Sequence, residues 1–124
     1  MLDLKIDSKK VLLSNIINAV DNLKGQDVKV LDFTNIDNAP CRYFVICNGT
    51  SSTHVRALVT AINKGCRKSI NQRPYDIEGQ ENAQWVLIDY IDVVVHVFQK
   101  NIREFYDIEG LWGDAITTSI DSRY

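Results

Sequence analysis

The sequence predicts an α/β fold in which a sheet is covered by helices, and three observations carry that reading. Residues 85–98, WVLIDYIDVVVHVF, form two apolar and mostly β-branched runs joined by a short acidic turn. Such runs suit a hairpin at the centre of a sheet with both faces buried. Two other stretches place apolar residues every three or four positions: Leu13, Ile16, Ile17, Val20 and Leu23, then Val55, Leu58, Val59, Ile62, Cys66 and Ile70. Each is the buried stripe of an amphipathic helix. The second helix lies between two strand-like runs, the arrangement of a right-handed crossover joining a parallel pair.

The elements follow in order. Asp7 or Ser8 can cap a first helix over residues 8–24, with Gly25 as its left-handed stop. Residues 28–33 read as a strand and 35–40 as a loop of turn-forming Asp, Asn and Pro. YFVIC, 43–47, is a second strand, and NGTSST leads from it into the second helix, whose outer face carries Arg56, Lys64, Arg67 and Lys68. A short strand at 75–78 and a turn at 78–82 precede the hairpin. Residues 99–106 form a last short helix, with Phe105 and Leu111 expected to pin it to the sheet.

The length of 124 residues fits one domain, assigned to 1–116, and TTSIDSRY at 117–124 has no periodic apolar face and reads as a disordered tail. No apolar run approaches the roughly 20 residues of a membrane helix, and the N-terminus lacks a basic-then-apolar leader, so a cytoplasmic location is expected. Cys41, Cys47 and Cys66 match no zinc or redox spacing and read as reduced thiols. The charge is uneven: residues 1–75 hold 11 Lys/Arg against 6 Asp/Glu, and residues 76–124 hold 3 against 10. The acidic half suits a basic protein partner and opposes wrapping by nucleic acid.

Several residues invite chemistry. NGTSSTHV resembles a phosphate cradle at a helix N-terminus, yet it has no Lys and neither phosphate-loop glycine pattern, so a capped strand-to-helix turn accounts for it. Asp89 and Asp92 flank Tyr90-Ile91, and a two-residue turn would set their carboxylates opposite each other; two acids are too few for a metal cage. His96 lies mid-strand and His54 in the first turn of a helix, neither with a nucleophile at recognisable spacing. No metal or cofactor is expected. Trp85, Tyr90, Phe105, Tyr106 and Trp112 all fall in the acidic half, where aromatics outside the core would mark a binding face ringed by Asp76, Glu78, Glu81, Asp89, Glu104, Asp107 and Glu109.

Four blocks in order, YFVICNGTSSTHV, then EG, then WVLIDYIDVVVHVF, then REFYDIEGLWGDA, resemble the ribosomal silencing factor (RsfS, Iojap-like) family over residues 13–115. The resemblance implies a mixed five-stranded sheet flanked by helices, related to nucleotidyltransferases. It implies a non-enzymatic factor that binds the basic inter-subunit face of the large ribosomal subunit through its fourteenth protein, blocks small-subunit joining and represses translation, and that pairs as a homodimer in some relatives. Carried over by motif, the partner-binding residues are Glu78, Gly79, Trp85, Asp89, Tyr90, His96, Arg103 and Tyr106. Trp85 would be the apolar anchor, and Gly79 would allow a tight loop. The chain departs from the pattern at Cys41-Arg42, where Ala-Asp is usual, in the loop before Pro74, which lacks a frequent glycine, and at Ile91, where Gly is usual. A β-branched residue resists φ > 0, so a longer or type I turn is expected there.

Two alternatives belong to other classes. A small nucleotidyltransferase would use Gly49-Thr50-Ser51 and the hairpin acids, but needs two acids two residues apart on one strand, and here the spacing is three across a turn. An RNA-binding module would use Arg56, Lys64 and Arg67; direct sequence-specific nucleic-acid binding is not expected.

Overall fold

A computed structural model describes residues 7–121. The elements are α1 (Ser8–Asn22), β1 (Gln26–Asp32), β2 (Tyr43–Gly49), α2 (Ser52–Ile70), β3 (Asp76–Glu78), β4 (Trp85–Asp89), β5 (Val93–Gln99), α3 (Lys100–Tyr106), α4 (Ile108–Leu111) and β6 (Ile116–Ser119). The strands form one mixed sheet of six in the order β3-β4-β5-β2-β1-β6. Only β2 and β5 pair in parallel. The crossover through α2 therefore does not set β3 beside β2 as the strand–helix–strand pattern suggested. It carries the chain past two strand positions to the edge, and the hairpin fills the gap.

The sixth strand corrects the count of five. It also corrects the expected tail: residues 117–119 pair antiparallel with β1, and the Ile120 N–H donates to the Val28 carbonyl at 2.9 Å. All four β6 side chains are exposed, so the strand is held by backbone bonds along the edge of β1 and leaves no apolar pattern in the sequence. Positions 122–124 of that tail lie outside the described residues.

Each face of the sheet has its own core. Leu12, Ile16 and Val20 of α1 and Val55, Leu58, Val59 and Ile62 of α2 pack on Val28, Val30, Val45, Val86, Ile88, Val93, Val95 and Val97. On the other face Leu31, Phe33, Phe44, Ile46 and Phe98 are covered by Ile108, Ala115, Ile102 and Trp112. That second cover is partial. Along β4 the residues alternate between half-buried and buried, so the outer part of the sheet has one face open rather than both covered.

Local geometry follows the side chains. Asp7 caps α1, its carboxylate accepting the Lys9 N–H at 3.0 Å. The left-handed residue ending this helix is Lys24 (φ 60), not Gly25. Gly25 serves packing instead, since a Cβ there would stand 2.3 Å from Val20 Cγ1. Phe105 and Leu111 are 79% and 75% exposed and pin nothing. Ile102 and Tyr106, one turn apart, face the sheet, which turns Phe105 outward. The hairpin connection is tight: Tyr90 N–H donates to Val93 O and Asp92 N–H to Tyr90 O, both at 2.9 Å, a γ-turn centred on Ile91. Ile91 takes φ 74, so the expected longer or type I turn does not form. The turn is held by its surroundings, with the Asp89 carboxylate accepting the Ile91 N–H at 2.7 Å and the Asp92 carbonyl accepting from Arg42 and Tyr43.

Candidate partner-binding face

Strand alternation decides which residues meet. Val86 and Ile88 of β4 point into the helix-covered core, so Trp85, Leu87 and Asp89 stand on the open face. The register sets Trp85 against Phe98, Leu87 against His96 and Asp89 against Val94 on β5. On the edge side it sets Glu78 against Leu87 and Asp76 against Asp89. The outcome is an apolar patch of half-buried Trp85, Leu87 and Val94, continued by the 52% exposed Tyr106 and bordered by three carboxylates. Glu78, Gly79, Trp85 and Leu87 line a shallow hollow of about 240 Å³.

Trp85 is held in place from behind and beside. Its ring stacks on Phe98 at 4.9 Å between centroids and lies 4.9 Å from Tyr106. Its indole N–H donates to His96 Nδ1 at 3.1 Å, which assigns the imidazole proton to Nε2. His96 is buried, and burial pushes its pKa down to about 4. It is therefore neutral at pH 7 and able to accept the indole hydrogen bond at Nδ1. His96 is thus covered, whereas Trp85 is only half-buried. Gly79 takes φ 90, and a Cβ there would stand 2.1 Å from the Trp85 carbonyl, so only glycine lets this loop pass close to the start of β4.

Two of the predicted partner-binding residues are placed elsewhere. Tyr90 is 4% exposed and faces the α2 side, against Cys66. It is a core residue, and burial raises its phenol pKa. Arg103 is 5% exposed, and its guanidinium makes four hydrogen bonds inside the protein. It donates to both Glu109 carboxylate oxygens at 2.9 and 3.1 Å, to Asn48 Oδ1 at 2.6 Å and to the Asp27 carbonyl at 2.7 Å. The same guanidinium holds the Glu109 pKa below its ordinary value. Arg103 thus ties α3 and α4 to the ends of β1 and β2, with four of its five guanidinium hydrogens committed inside the protein. Leu87 and Val94 belong to the patch and were missed, although both share strand parity with named residues.

The acidic border is electrostatically unsatisfied. Asp76 and Asp89 are like charges directly opposite on neighbouring strands, which is unfavourable in the free protein. Among the described residues no Lys or Arg forms an ion pair with Asp76, Glu78 or Asp89. The other acids of the expected ring lie apart: Glu104, Asp107 and Glu109 line a polar pocket around Arg103, and Glu81 lies in the loop after Gly79. Asp92 does not face Asp89 across the ladder, because Val94 occupies that position.

The remaining candidates are accounted for locally. Ser51 caps α2 through the His54 N–H at 3.1 Å. The His54 ring accepts from Thr50 N–H at 2.9 Å and donates to the Leu23 carbonyl at 2.8 Å, which spans the turn and the end of α1. Cys41 and Cys47 are pushed up to about 12 by burial and are unreactive thiols at neutral pH. Among the described residues no three His, Cys, Asp or Glu side chains are grouped to hold a metal, and no helix is long and apolar enough to cross a membrane.

The profile of a family described as "Ribosomal silencing factor during starvation" (RsfS) matches residues 5–123. The chain belongs to the RsfS family. A ribosomal silencing factor from Halalkalibacterium halodurans is 40% identical over 114 residues, covering 92% of this chain and 96% of that protein. A crystal structure of a Chromobacterium violaceum protein superposes with a TM-score of 0.78 at 32% identity, over 84% of this chain and 85% of that one. The mouse protein named "Mitochondrial assembly of ribosomal large subunit protein 1" is 37% identical over 76 residues, 56% of this chain and 32% of its own length. RsfS membership gives the chain a ribosome-associated, translation-silencing role that is regulatory rather than enzymatic. The mixed sheet flanked by helices is the fold of these RsfS relatives.

Proposed function

We propose that this RsfS chain silences translation by docking its open sheet face on a basic protein at the inter-subunit surface of the large ribosomal subunit, its fourteenth protein, in the cytoplasm. The bound factor then occupies the space the small subunit needs, and no chemistry is involved. The observation that carries the reading is the pairing of a held aromatic patch, Trp85 with Leu87, Val94 and Tyr106, with three carboxylates that have no cation of their own among the described residues. Aromatic anchors inside a polar border are the usual anatomy of a protein interface. Lysines or arginines of a partner would relieve the Asp76–Asp89 repulsion while an apolar group covers the Trp85 ring. The mouse relative's name, which speaks of large-subunit assembly, supports the same subunit as partner. The site consists of Asp76, Glu78, Gly79, Trp85, Leu87, Asp89, Val94 and Tyr106, with His96 acting through Trp85.

The test is co-sedimentation with purified large subunits and an assay of small-subunit joining. Trp85→Ala should weaken binding by about 2 kcal/mol or more, the cost of truncating a central aromatic anchor. Asp76→Lys with Glu78→Lys should abolish binding while circular dichroism stays unchanged. If both variants bind and block joining as the parent does, the face is wrongly assigned. Homodimerisation, which sedimentation velocity reads directly, is compatible with this reading and not required by it.

A further inference from the structure

We infer that the solvent face of α2 is a docking surface for the phosphate backbone of RNA, on the opposite side of the sheet from the aromatic face. Ser52–Ile70 contains four cations and no Asp or Glu. Val55, Leu58, Val59, Ile62 and Cys66 take the buried side, which leaves Arg56, Thr60, Lys64, Arg67 and Lys68 exposed on the other. Positions 56 to 68 span about 18 Å of helix at 1.5 Å per residue, and Arg73 follows just past the helix end. Soluble surfaces normally intersperse both signs, and this chain as a whole is acidic at a net −2. A single-sign stripe is therefore a local feature rather than a consequence of overall basicity.

The cations are also uncommitted. Among the described residues none of Lys64, Arg67, Lys68 and Arg73 forms an ion pair. Arg56 gives one N–H to the Glu81 carbonyl at 2.6 Å and keeps its charge unneutralised. The exposed hydroxyl of Thr60, within the stripe, is a donor suited to phosphate oxygens. The stripe carries no aromatic ring on which a base could stack, so the binding it offers is electrostatic and independent of sequence. Because α1 and α2 cover one face of the sheet and Trp85 stands on the other, one molecule can hold a basic protein and an RNA strand together. The inference does not depend on the proposed docking of the aromatic face.

The experiment is a fluorescence-anisotropy titration of a labelled RNA hairpin of arbitrary sequence with the full chain. Binding is expected at 50 mM salt with a dissociation constant in the range of non-specific complexes, about 1–100 µM, falling with a log–log salt slope of about −3 to −4 for four neutralised phosphates. Lys64→Glu, Arg67→Glu and Lys68→Glu together should cost at least tenfold at 50 mM salt. Trp85→Ala should leave RNA binding as it is, so a failure here and a failure of the partner-face reading are told apart. Absence of RNA binding at 50 mM salt, or binding that the triple reversal leaves unchanged, overturns the inference. So does an acidic polyglutamate peptide that binds this surface as tightly as the RNA, which would make the occupant a protein.

Discussion

Replacing Arg103 by methionine removes a buried guanidinium that makes four hydrogen bonds, two to Glu109, one to Asn48 and one to the Asp27 carbonyl. Methionine keeps most of the apolar volume, so the loss is electrostatic. Breaking a buried pair from one side costs about 3–5 kcal/mol, because the abandoned charge loses its partner without regaining full hydration. Glu109 is partly open, with 21% of its side chain accessible, and Lys29 lies 3.6 Å from it, so the lower end of that range, about 3 kcal/mol, applies. Urea denaturation should show the midpoint falling at constant m, and thermal unfolding should drop by about 10 °C or more for a domain of this size. The pH dependence supplies a second signature. Arg103 holds the Glu109 pKa below its unfolded value, so the unfolded chain binds the proton more readily and the pair's stabilisation is lost as pH falls through the folded pKa. In Arg103→Met the part of the acid loss due to Glu109 should shrink. A variant as stable as the parent that nonetheless fails to bind large subunits would refute the structural role and return Arg103 to the partner surface.

Ile91→Gly should stabilise the protein by about 1 kcal/mol, since relief of about 1–3 kcal/mol of strain at φ 74 exceeds the entropic cost of glycine; an unchanged or lower urea midpoint would mean that the turn carries no strain. Asp76→Asn should raise stability by about 0.5 kcal/mol at low salt by removing the charge opposite Asp89, an effect that 1 M salt erases, and should weaken subunit binding. The pKa of His96 falls from 6.5 to about 4 on burial, so the unfolded state binds its proton first and stability drops as pH falls from about 6.5 towards 4. The full effect is on the order of 3 kcal/mol, and a His96→Phe variant should lose that part of the slope in pH-dependent denaturation while retaining the acid loss due to carboxylates.

What was legible in the sequence was whatever leaves a periodic trace. The stripes of α1 and α2 and the β-branched runs of β5 fix their own geometry, because one face must be buried. Parity within β4 was equally readable: Trp85, Leu87 and Asp89 alternate with Val86 and Ile88, and continuing the count assigns Tyr90 to the core. Motif resemblance names Tyr90 as a partner-binding residue, whereas the period of two places it in the core. Arg103 was beyond local reading, since Asn48 and Asp27 lie 55 and 76 positions away, and nothing near Arg103 signals a buried cation. β6 was illegible for the opposite reason, because an exposed edge strand needs only backbone partners. Ile91 shows a local preference overruled: the two strands must meet within two residues, and bonds from Asp89, Arg42 and Tyr43 hold the turn in spite of its side chain.

The partial cover of the second face explains why the proposed docking surface lies where it does. α3 is seven residues long and α4 four, enough to seal Phe33, Phe44 and Ile46 but not to reach across β4 and β3. Had a longer helix followed β5, Trp85 and Leu87 would be core residues and the carboxylates of β3 would lie at its margin. The left-handed break at Asp107 (φ 43), whose own carboxylate accepts the Gly110 N–H at 3.2 Å, ends α3 at Tyr106. The break leaves Tyr106 beside Trp85 as the last piece of cover, with Arg103 anchoring the helix from the buried side. Rigid support from His96, Phe98 and Tyr106 means that Trp85 gives up little conformational freedom on docking, so more of its burial appears as affinity. On this argument, loosening the break with Asp107→Ala should weaken subunit binding more than it lowers the unfolding midpoint, and equal losses in the two would show that the break serves stability alone.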